Sequence, residues 1–404
     1  MQAPIPRVLS FTTVFPRGDD PMRGVFVRSR LMHLAELAPV TVVAPAAVIE
    51  YGNPTGRFRP LSQIPKQRQD GPLTVLHPRW LYPPGVKALH PAALALCSAR
   101  TVLRAKRRGS FDVLDAHFGH PDGIAAALLA SLIGVPFTVT LRGSELMHAA
   151  AVAVRGELGW ALRRASRVIA VSRPLEQLAR GLGVAPERIV VIPNGVDSAT
   201  FRPLDRAWWR ARLGMAEERL HILSAGHLIE LKGHHRIVAA LPRLHAAGLP
   251  AELWIAGAPG NAGAFDDTIR RTAEECGVAA HVHFTGPLQP GQIAGAMNAS
   301  DLLCLASSRE GSPNVVNEAL ACGVPVVATS VGGVPDMLPD ERFGIVVPAG
   351  DPESLAAGLD TALRRQWDRA AIAAWGARRS WNNVAAETLE ALQGAVLEWA
   401  ERTR

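Results

Sequence analysis

Two glutamates, Glu310 and Glu318, stand eight positions apart in the window SREGSPNVVNEALACGVPVVATSVGGVPD (Ser308–Asp336). A carboxylate accepts hydrogen bonds from paired hydroxyls, which a ribose or a hexose presents. Between the two, Gly311 and Ser312 turn the chain into an expected helix from Asn314 to Cys322, with Ser312 suited to the N-cap and Pro313 to the first helical position. The first amides of that helix, near Asn314, Val315 and Val316, would carry about half an elementary charge, which suits a diphosphate. Glutamates at this spacing are also common on solvated turns and helices. From spacing alone that plainer reading wins.

The elements that must position these residues alternate. RVLSFTTVF, VTVVAPA, DVLDAHF, PFTVTLRG, RVIAVS and RIVVIPN read as strands, with helices such as Asp122–Ile133 and Pro174–Gly181 between them. HILSAGHL, AELWIAG, VHFTG, LLCLASS, PVVATS and GIVVP restart the pattern, with helices at Gly233–Ala247, Phe265–Cys276, Pro290–Ala299 and Asn314–Cys322. This is an α/β chain of two Rossmann-like, doubly wound parallel-sheet domains. The join falls in the turn-rich stretch PNGVDSATFRP, giving domains 1–196 and 197–380, with a C-terminal helical segment, 381–404, that fits either one. A dinucleotide dehydrogenase is disfavoured, because Gly257, Gly260 and Gly263 do not make G-x-G-x-x-G.

A length of 404 residues suits two domains of roughly 200 residues. A net charge of +7 fits acidic partners such as nucleotides or lipid phosphates, and fits a plain arginine-rich composition equally. Cys97, Cys276, Cys304 and Cys322 form no C-x-x-C pair, which points to free thiols in a reducing compartment. With no leader pattern at the N-terminus, a cytoplasmic protein is expected. The uncharged run Gly123–Leu141 is nearly long enough to span a membrane, but Gly134-Val135-Pro136 breaks it into a helix and a strand. No Asp-x-Asp triplet occurs, so no metal and no other cofactor is expected.

The window with E-x7-E followed by EALACGVPVVATSVGGVPD closely resembles the donor site of family 4 retaining glycosyltransferases of GT-B fold. The likeness extends along most of the chain. FPRGDDPMRGVFVRSRLMHLAEL, with Gly24, is similar to the family's N-terminal glycine loop and helix; DVLDAHFGHPDG to its D-x-x-H-x-H segment; VIPNGVDSATFRP to its interdomain I-P-N-G-V-D; and WNNVAAETLEAL to the terminal helix that crosses back onto the N-terminal domain. The resemblance implies two domains facing a central cleft, with the N-terminal one on the acceptor side and the C-terminal one binding a nucleotide sugar. It implies Glu318 on the donor ribose, Glu310 near the transferred sugar, and Lys232 on the diphosphate.

Lys232 suits that role physically. A lysine about 4 Å from a phosphate oxygen gains roughly 4 kcal/mol at an effective dielectric near 20, before desolvation is subtracted. His227 stands where many relatives have an arginine, so it is either a titratable phosphate contact or a structural imidazole. His117 aligns with the second histidine of H-x-H, at the carboxyl end of a strand where open α/β sheets bind ligands; Asp115 replaces the first, and His120 is a competitor. Arg142-Gly143, followed by Ser144 and Glu145, replaces the usual H-G, and a guanidinium there would suit an anionic acceptor.

The implied activity is metal-independent, retaining transfer of a sugar to a cell-surface polysaccharide, glycolipid or other glycoside. Lys232 and the helix amides would meet the leaving-group charge. A GT-B-fold sugar-nucleotide epimerase and a catalytically silent binding subunit are the alternatives. Expected partners are a nucleotide-sugar donor and a glycan or lipid-linked acceptor, and nucleic acid is not among them. The segment KALHPAALALCSARTVLRAKRRG (Lys87–Gly109) is either a core-facing helix with a solvated basic face or a peripheral anchor on anionic membrane.

Overall fold

The β-branched runs and the Ala/Leu-rich segments between them become strands and helices as their periods require. The computed structural model describes residues 4–49, 64–83, 85–260 and 265–403. Gly263 and Arg404 lie outside the described residues. The chain divides into two compact units, Met1–Asn194 with Trp381–Arg404, and Gly195–Ser380.

In the first unit the strands are β1 (Val8–Phe11), β2 (Val40–Val43), β3 (Ala46–Ala47), β4 (Gln67–Asp70), β5 (Leu73–Leu76), β6 (Arg79–Trp80), β7 (Val113–His117), β8 (Phe137–Leu141), β9 (Arg167–Ala170) and β10 (Ile189–Val191). The main sheet runs β10-β9-β8-β7-β1-β2-β5-β4. Its pairings are parallel except β4 with β5, a hairpin edge. Strands β3 and β6 pair separately.

Every residue of β1, β7 and β8 is buried, as a parallel sheet covered on both faces demands. Leu9, Phe11, Leu114 and Leu141 pack against the helices His90–Arg107 and Ile124–Ile133. On the other face Val8, Val42 and Val75 meet Val27 and Leu31 of the helix Val25–Leu34, and Ala385 and Leu392 of the helix Trp381–Arg402. Trp381 and Val384 of that last helix also pack on Ile169 and Ile192, and Glu398 pairs with Arg167.

The helix expected from Asp122 begins at Ile124. Pro121 disfavours α geometry at the residue before it, and His120 is extended at φ −129°, ψ 132°, so Gly119–Gly123 forms a wider turn first. Gly134, at φ 63°, ends the helix, which divides the uncharged run into a helix and β8. Among the described residues no helix is long and apolar enough to cross a membrane.

The second unit has β11 (Leu220–Ala225), β12 (Ala251–Ala256), β13 (Val282–Gly286), β14 (Leu302–Leu305), β15 (Val326–Thr329) and β16 (Gly344–Val347), in the order β13-β12-β11-β14-β15-β16 and all parallel. Strand order reverses between β11 and β14. In the first unit the corresponding reversal lies between β1 and β7. Carboxyl ends of strands at such a switch point leave a crevice for ligands.

Cys304 and Cys322 are buried free thiols; burial pushes the Cys322 thiol up to about 12 and raises Cys304 as well.

Candidate functional site

Lys232 and Glu310 reach each other from the two loops that leave the second unit's switch point. Lys232 follows β11, and its Nζ donates to Glu310 Oε1 at 2.7 Å; Glu310 follows β14. Ser307 Oγ donates to the same oxygen at 2.7 Å, and Thr329 Oγ1, at the end of β15, donates to the Ser307 carbonyl at 2.6 Å. Three strand ends are thereby tied to one carboxylate. The Lys232 and Glu310 side chains keep 20% and 10% of their accessible surface, so the pair can be approached from outside.

Three glycines allow this convergence. Gly233, at φ +71°, lies so near the Ala306 carbonyl oxygen that a Cβ would stand 2.0 Å from it. At Gly332, φ +55°, a Cβ would meet the Glu310 carbonyl oxygen at 2.3 Å. Gly226 lets the Lys232 stem cross at 3.3 Å from where a Cβ would be. Each requirement follows from close approach or positive φ, which only glycine meets without strain. His234, the residue after Gly233, bonds Ser224 Oγ at 2.8 Å and the His227 carbonyl at 3.3 Å, and burial lowers its imidazole to about 4.

The helix after Glu310 begins at Asn314 as expected, but its cap lies one residue later than expected. Pro313, not Ser312, is the N-cap of Asn314–Ala321, and Ser312 Oγ is buried with no hydrogen-bond partner among the described residues. Proline has no side-chain acceptor to cap the helix. Of the expected open amides, Val316 donates to the Pro313 carbonyl at 3.1 Å and is therefore occupied. Gly311 lends its carbonyl to the Gly333 amide at 2.8 Å, fastening the turn. Glu318 lies on this helix, and its carboxyl accepts no hydrogen bond from a described residue. Desolvation raises it to about 7. His227 is exposed beside the Lys232 loop.

The first unit's switch point is filled. His117 is wholly buried at the end of β7: Nε2 meets Ser10 Oγ of β1 at 3.0 Å, and Arg142 Nη2 meets Nδ1 at 3.0 Å. A guanidinium only donates, so Nδ1 accepts and the proton sits on Nε2. Burial first, then Arg142 and Arg30, hold this imidazole well below its usual range. Arg142 also donates to Asn194 Oδ1 at 3.1 Å and lies over the Phe26 ring at 5.1 Å. Desolvation and the nearby Arg30 charge pull its pKa down to about 9. Arg30 donates to Thr140 Oγ1 at 2.6 Å and faces Asp115 Oδ2 at 3.4 Å, while Thr138 donates to Asp115 Oδ1 at 2.7 Å.

Expected as an outward contact for an anionic acceptor, Arg142 is instead enclosed. Glu145 is enclosed too: its oxygens accept the amides of Gly119 at 2.7 Å, Arg142 at 3.0 Å and Gly143 at 2.8 Å. Its carboxylate closes the turn after β8, so it has no oxygen left facing outward. The reason is physical, since three converging backbone donors need an acceptor and a buried carboxylate supplies it. His120 Nε2 donates to the Lys87 carbonyl at 3.0 Å. Gly24, at φ +65°, holds the loop after β1, where a Cβ would stand 2.3 Å from the Val14 carbonyl oxygen.

Sequence reasoning missed Ser307, Thr329, Gly233 and Gly332. The glycines beside Lys232 and in VGGVPD were the visible signal; the hydroxyls carried none. It also missed Asp122, fully buried, which accepts the Thr13 amide at 2.8 Å and is raised by desolvation to about 7.

Residues 25–200 match the family model described as Glycosyltransferase Family 4, and residues 205–379 match Glycosyl transferases group 1. The chain is similar to the D-inositol 3-phosphate glycosyltransferase of Acidothermus cellulolyticus, 31% identical over 75% of this chain and 72% of that protein. With the protein of the same name from Paenarthrobacter aurescens it shares 32% identity over 71% and 74%. The match to the Segniliparus rotundus protein of that name is 34% identical but spans only 52% of this chain and 48% of the relative, about half its length.

Among solved structures, sucrose-phosphate synthase from Thermosynechococcus elongatus superposes with a TM-score of 0.74 at 18% identity, covering 95% of this chain and 97% of that one. Anabaena Alr3699/HepE in complex with UDP gives 0.74 at 21%, covering 96% and 99%. Identities this low speak to the fold alone. Matches to both family models, one on each unit, and relatives above 30% identity over most of their length show that the chain belongs to the family 4 glycosyltransferases of GT-B fold.

Proposed function

We propose that the chain transfers a sugar, with retention and without a metal, from a nucleoside diphosphate donor held by its second unit. The Lys232–Glu310 pair at the β11/β14 switch point carries this reading. Lys232 supplies a cation for the diphosphate, and Glu310 and Glu318 supply carboxylate oxygens for sugar and ribose hydroxyls. The acceptor oxygen forms its bond to the anomeric carbon as the bond to phosphate breaks, on the same face, and the acceptor's proton passes to the leaving phosphate. Preorganised donors of the Lys232 kind are each worth about 3–4 kcal/mol of barrier. His227 and the amides of Asn314 and Val315 add to the phosphate grip. The roles of His117, Arg142, Gly143 and Glu145 are those of a buried frame that sets the first unit's loops.

The named relatives act on D-inositol 3-phosphate, and HepE was crystallised with UDP, so a phosphorylated polyol and a UDP-sugar lead the acceptor and donor candidates. The test mixes UDP-glucose with D-inositol 3-phosphate, a glycan or a lipid-linked acceptor, in EDTA. Nucleotide release only with acceptor, and a product that keeps the donor's anomeric configuration, are expected. Release without any acceptor favours epimerisation or hydrolysis, and no turnover with any donor and acceptor favours a silent subunit.

A second reading concerns acceptor delivery at a membrane on the cytoplasmic side. Exposed apolar residues lie on three neighbouring helices of the first unit: Leu96 (79% exposed) on His90–Arg107, Leu128 and Leu132 on Ile124–Ile133, and Val152 on Val152–Arg164. Vesicle sedimentation unchanged by Leu96→Ser with Leu132→Ser would remove this reading.

A further inference from the structure

The first unit also carries a set of cations that the proposed transfer does not use. A cavity of about 680 Å3 lies between the helix His90–Arg107 and strands β2, β4 and β5, walled by Lys66, Arg79, Arg100, Arg104 and Arg108 and, among the described residues, by no carboxylate. Among the described residues Lys66, Arg100, Arg104 and Arg108 have no ion-pair partner. Elsewhere on this unit acids are available and used, as at Arg28 with Asp70 and Arg7 with Asp112.

The helix dipole explains part of this charge and no more. Arg104 lies in the last turn of its helix, where a cation opposes the partial negative end. Arg100 lies a turn earlier, and Lys66 and Arg79 arrive from the opposite wall, beyond the reach of that effect. Like charges gathered around one concavity repel, and the low-dielectric walls focus their field into it. Such a place favours a counter-anion.

The floor adds a second, different requirement. His77 is 1% exposed and its Nδ1 bonds the Ala44 carbonyl at 2.8 Å; a carbonyl only accepts, so that nitrogen carries the proton. Burial, with Arg68 and Arg79 nearby, lowers the imidazole below its usual range and keeps it neutral. Nε2 is therefore a bare acceptor, and it has no hydrogen-bond partner among the described residues. Thr41, Thr74 and Thr101 place hydroxyls along the same walls. Nε2 itself is covered, so a bare phosphate or sulfate would meet the arginines alone, whereas a ligand with both an anionic group and hydroxyls also meets the polar wall that carries Thr41 and Thr101.

We propose that this cavity is a second ligand site, separate from the Lys232–Glu310 site, that takes a hydroxylated phosphate monoester or diester. The ligand is either a soluble polyol phosphate or the headgroup of a glycerophospholipid, which share this chemistry. The site does not depend on the transfer reaction, and binding alone tests it.

The experiment titrates the full chain by calorimetry with glycerol 3-phosphate and with inorganic phosphate, and by sedimentation with vesicles of phosphatidylcholine containing phosphatidylglycerol. Arg100→Ser with Arg104→Ser, both exposed and so tolerant of replacement, is run beside Lys232→Ala. Glycerol 3-phosphate should bind the native chain and Lys232→Ala alike, more tightly than inorganic phosphate, and at least about tenfold more weakly to the double variant. Binding of phosphatidylglycerol vesicles alone, with the same loss in the double variant, assigns the site to the lipid headgroup. Equal affinity for glycerol 3-phosphate and inorganic phosphate overturns the hydroxyl requirement. Binding that the double variant keeps undiminished, or no binding by either source, overturns the site.

Discussion

The two switch points share a topology and differ in what occupies them. At β1/β7 the polar side chains His117, Arg142, Arg30 and Asp115 bond one another out of contact with solvent, with Nε of Arg30 and of Arg142 left without a partner among the described residues. At β11/β14 one ion pair, Lys232–Glu310, stays partly accessible, and Glu318 beside it has no hydrogen-bond partner among the described residues. A network sealed from solvent stabilises a frame, while polar groups that solvent reaches are available to a ligand. Mutations should therefore cost stability at the first and activity at the second.

The largest effect should come from Arg30→Ala, which leaves the buried Asp115 carboxylate without its charged partner. Breaking such a pair typically costs about 3–5 kcal/mol, measurable by urea unfolding. A loss below about 1 kcal/mol would mean the network is not what holds the first unit, and the contrast would fail. Next, Lys232→Ala should lower turnover by about 10²–10³-fold while changing unfolding free energy by about 1 kcal/mol or less. The reverse pattern, intact turnover with lost stability, would make that pair a structural feature.

Gly332→Ala should cost about 1–2 kcal/mol through its positive φ, and should also weaken nucleotide binding because the new methyl meets the Glu310 carbonyl. Unaltered binding would separate the Glu310 turn from the donor.

The shallowest effect is on pH. Glu318 and Asp122 are both raised to about 7, so each takes up its proton more readily in the folded chain than in the unfolded one. Their contribution is fully present below the unfolded carboxyl range and is lost as pH rises through about 7, with a slope of at most about 1.4 kcal/mol per pH unit per group. Glu318→Gln should flatten that slope by one group and Asp122→Asn by the other, as read from urea midpoints between pH 5 and 8. A slope indifferent to both replacements would show that neither carboxyl titrates there.

Most strands and helices were legible because alternation and β-branched runs mark them locally. Pro290–Ala299 is found with the same limits, and the helix from Asn314 begins at the expected residue. The hairpin β4–β5 was not legible, since QRQD is polar and exposed at an edge and shows no apolar period. The cap at Ser312 misled because a good capping residue before a proline is a local rule, and the turn through Gly311 shifts the cap by one residue.

In the site, residue types and spacing within Ser308–Asp336 and the position of Lys232 were determined by the sequence alone, through the motif that the family shares. What only the tertiary structure decided was which polar groups face one another. Arg142 and Glu145 look outward in a one-dimensional reading, yet His117, 25 positions before Arg142, and the Gly119 amide, 26 before Glu145, turn them inward. Lys232 and Glu310, seventy-eight positions apart, meet because strands β11 and β14 are neighbours in the sheet. Local sequence sets periodicity and backbone freedom. Burial and partnership depend on contacts between segments distant in the chain, which only the folded sheet brings together.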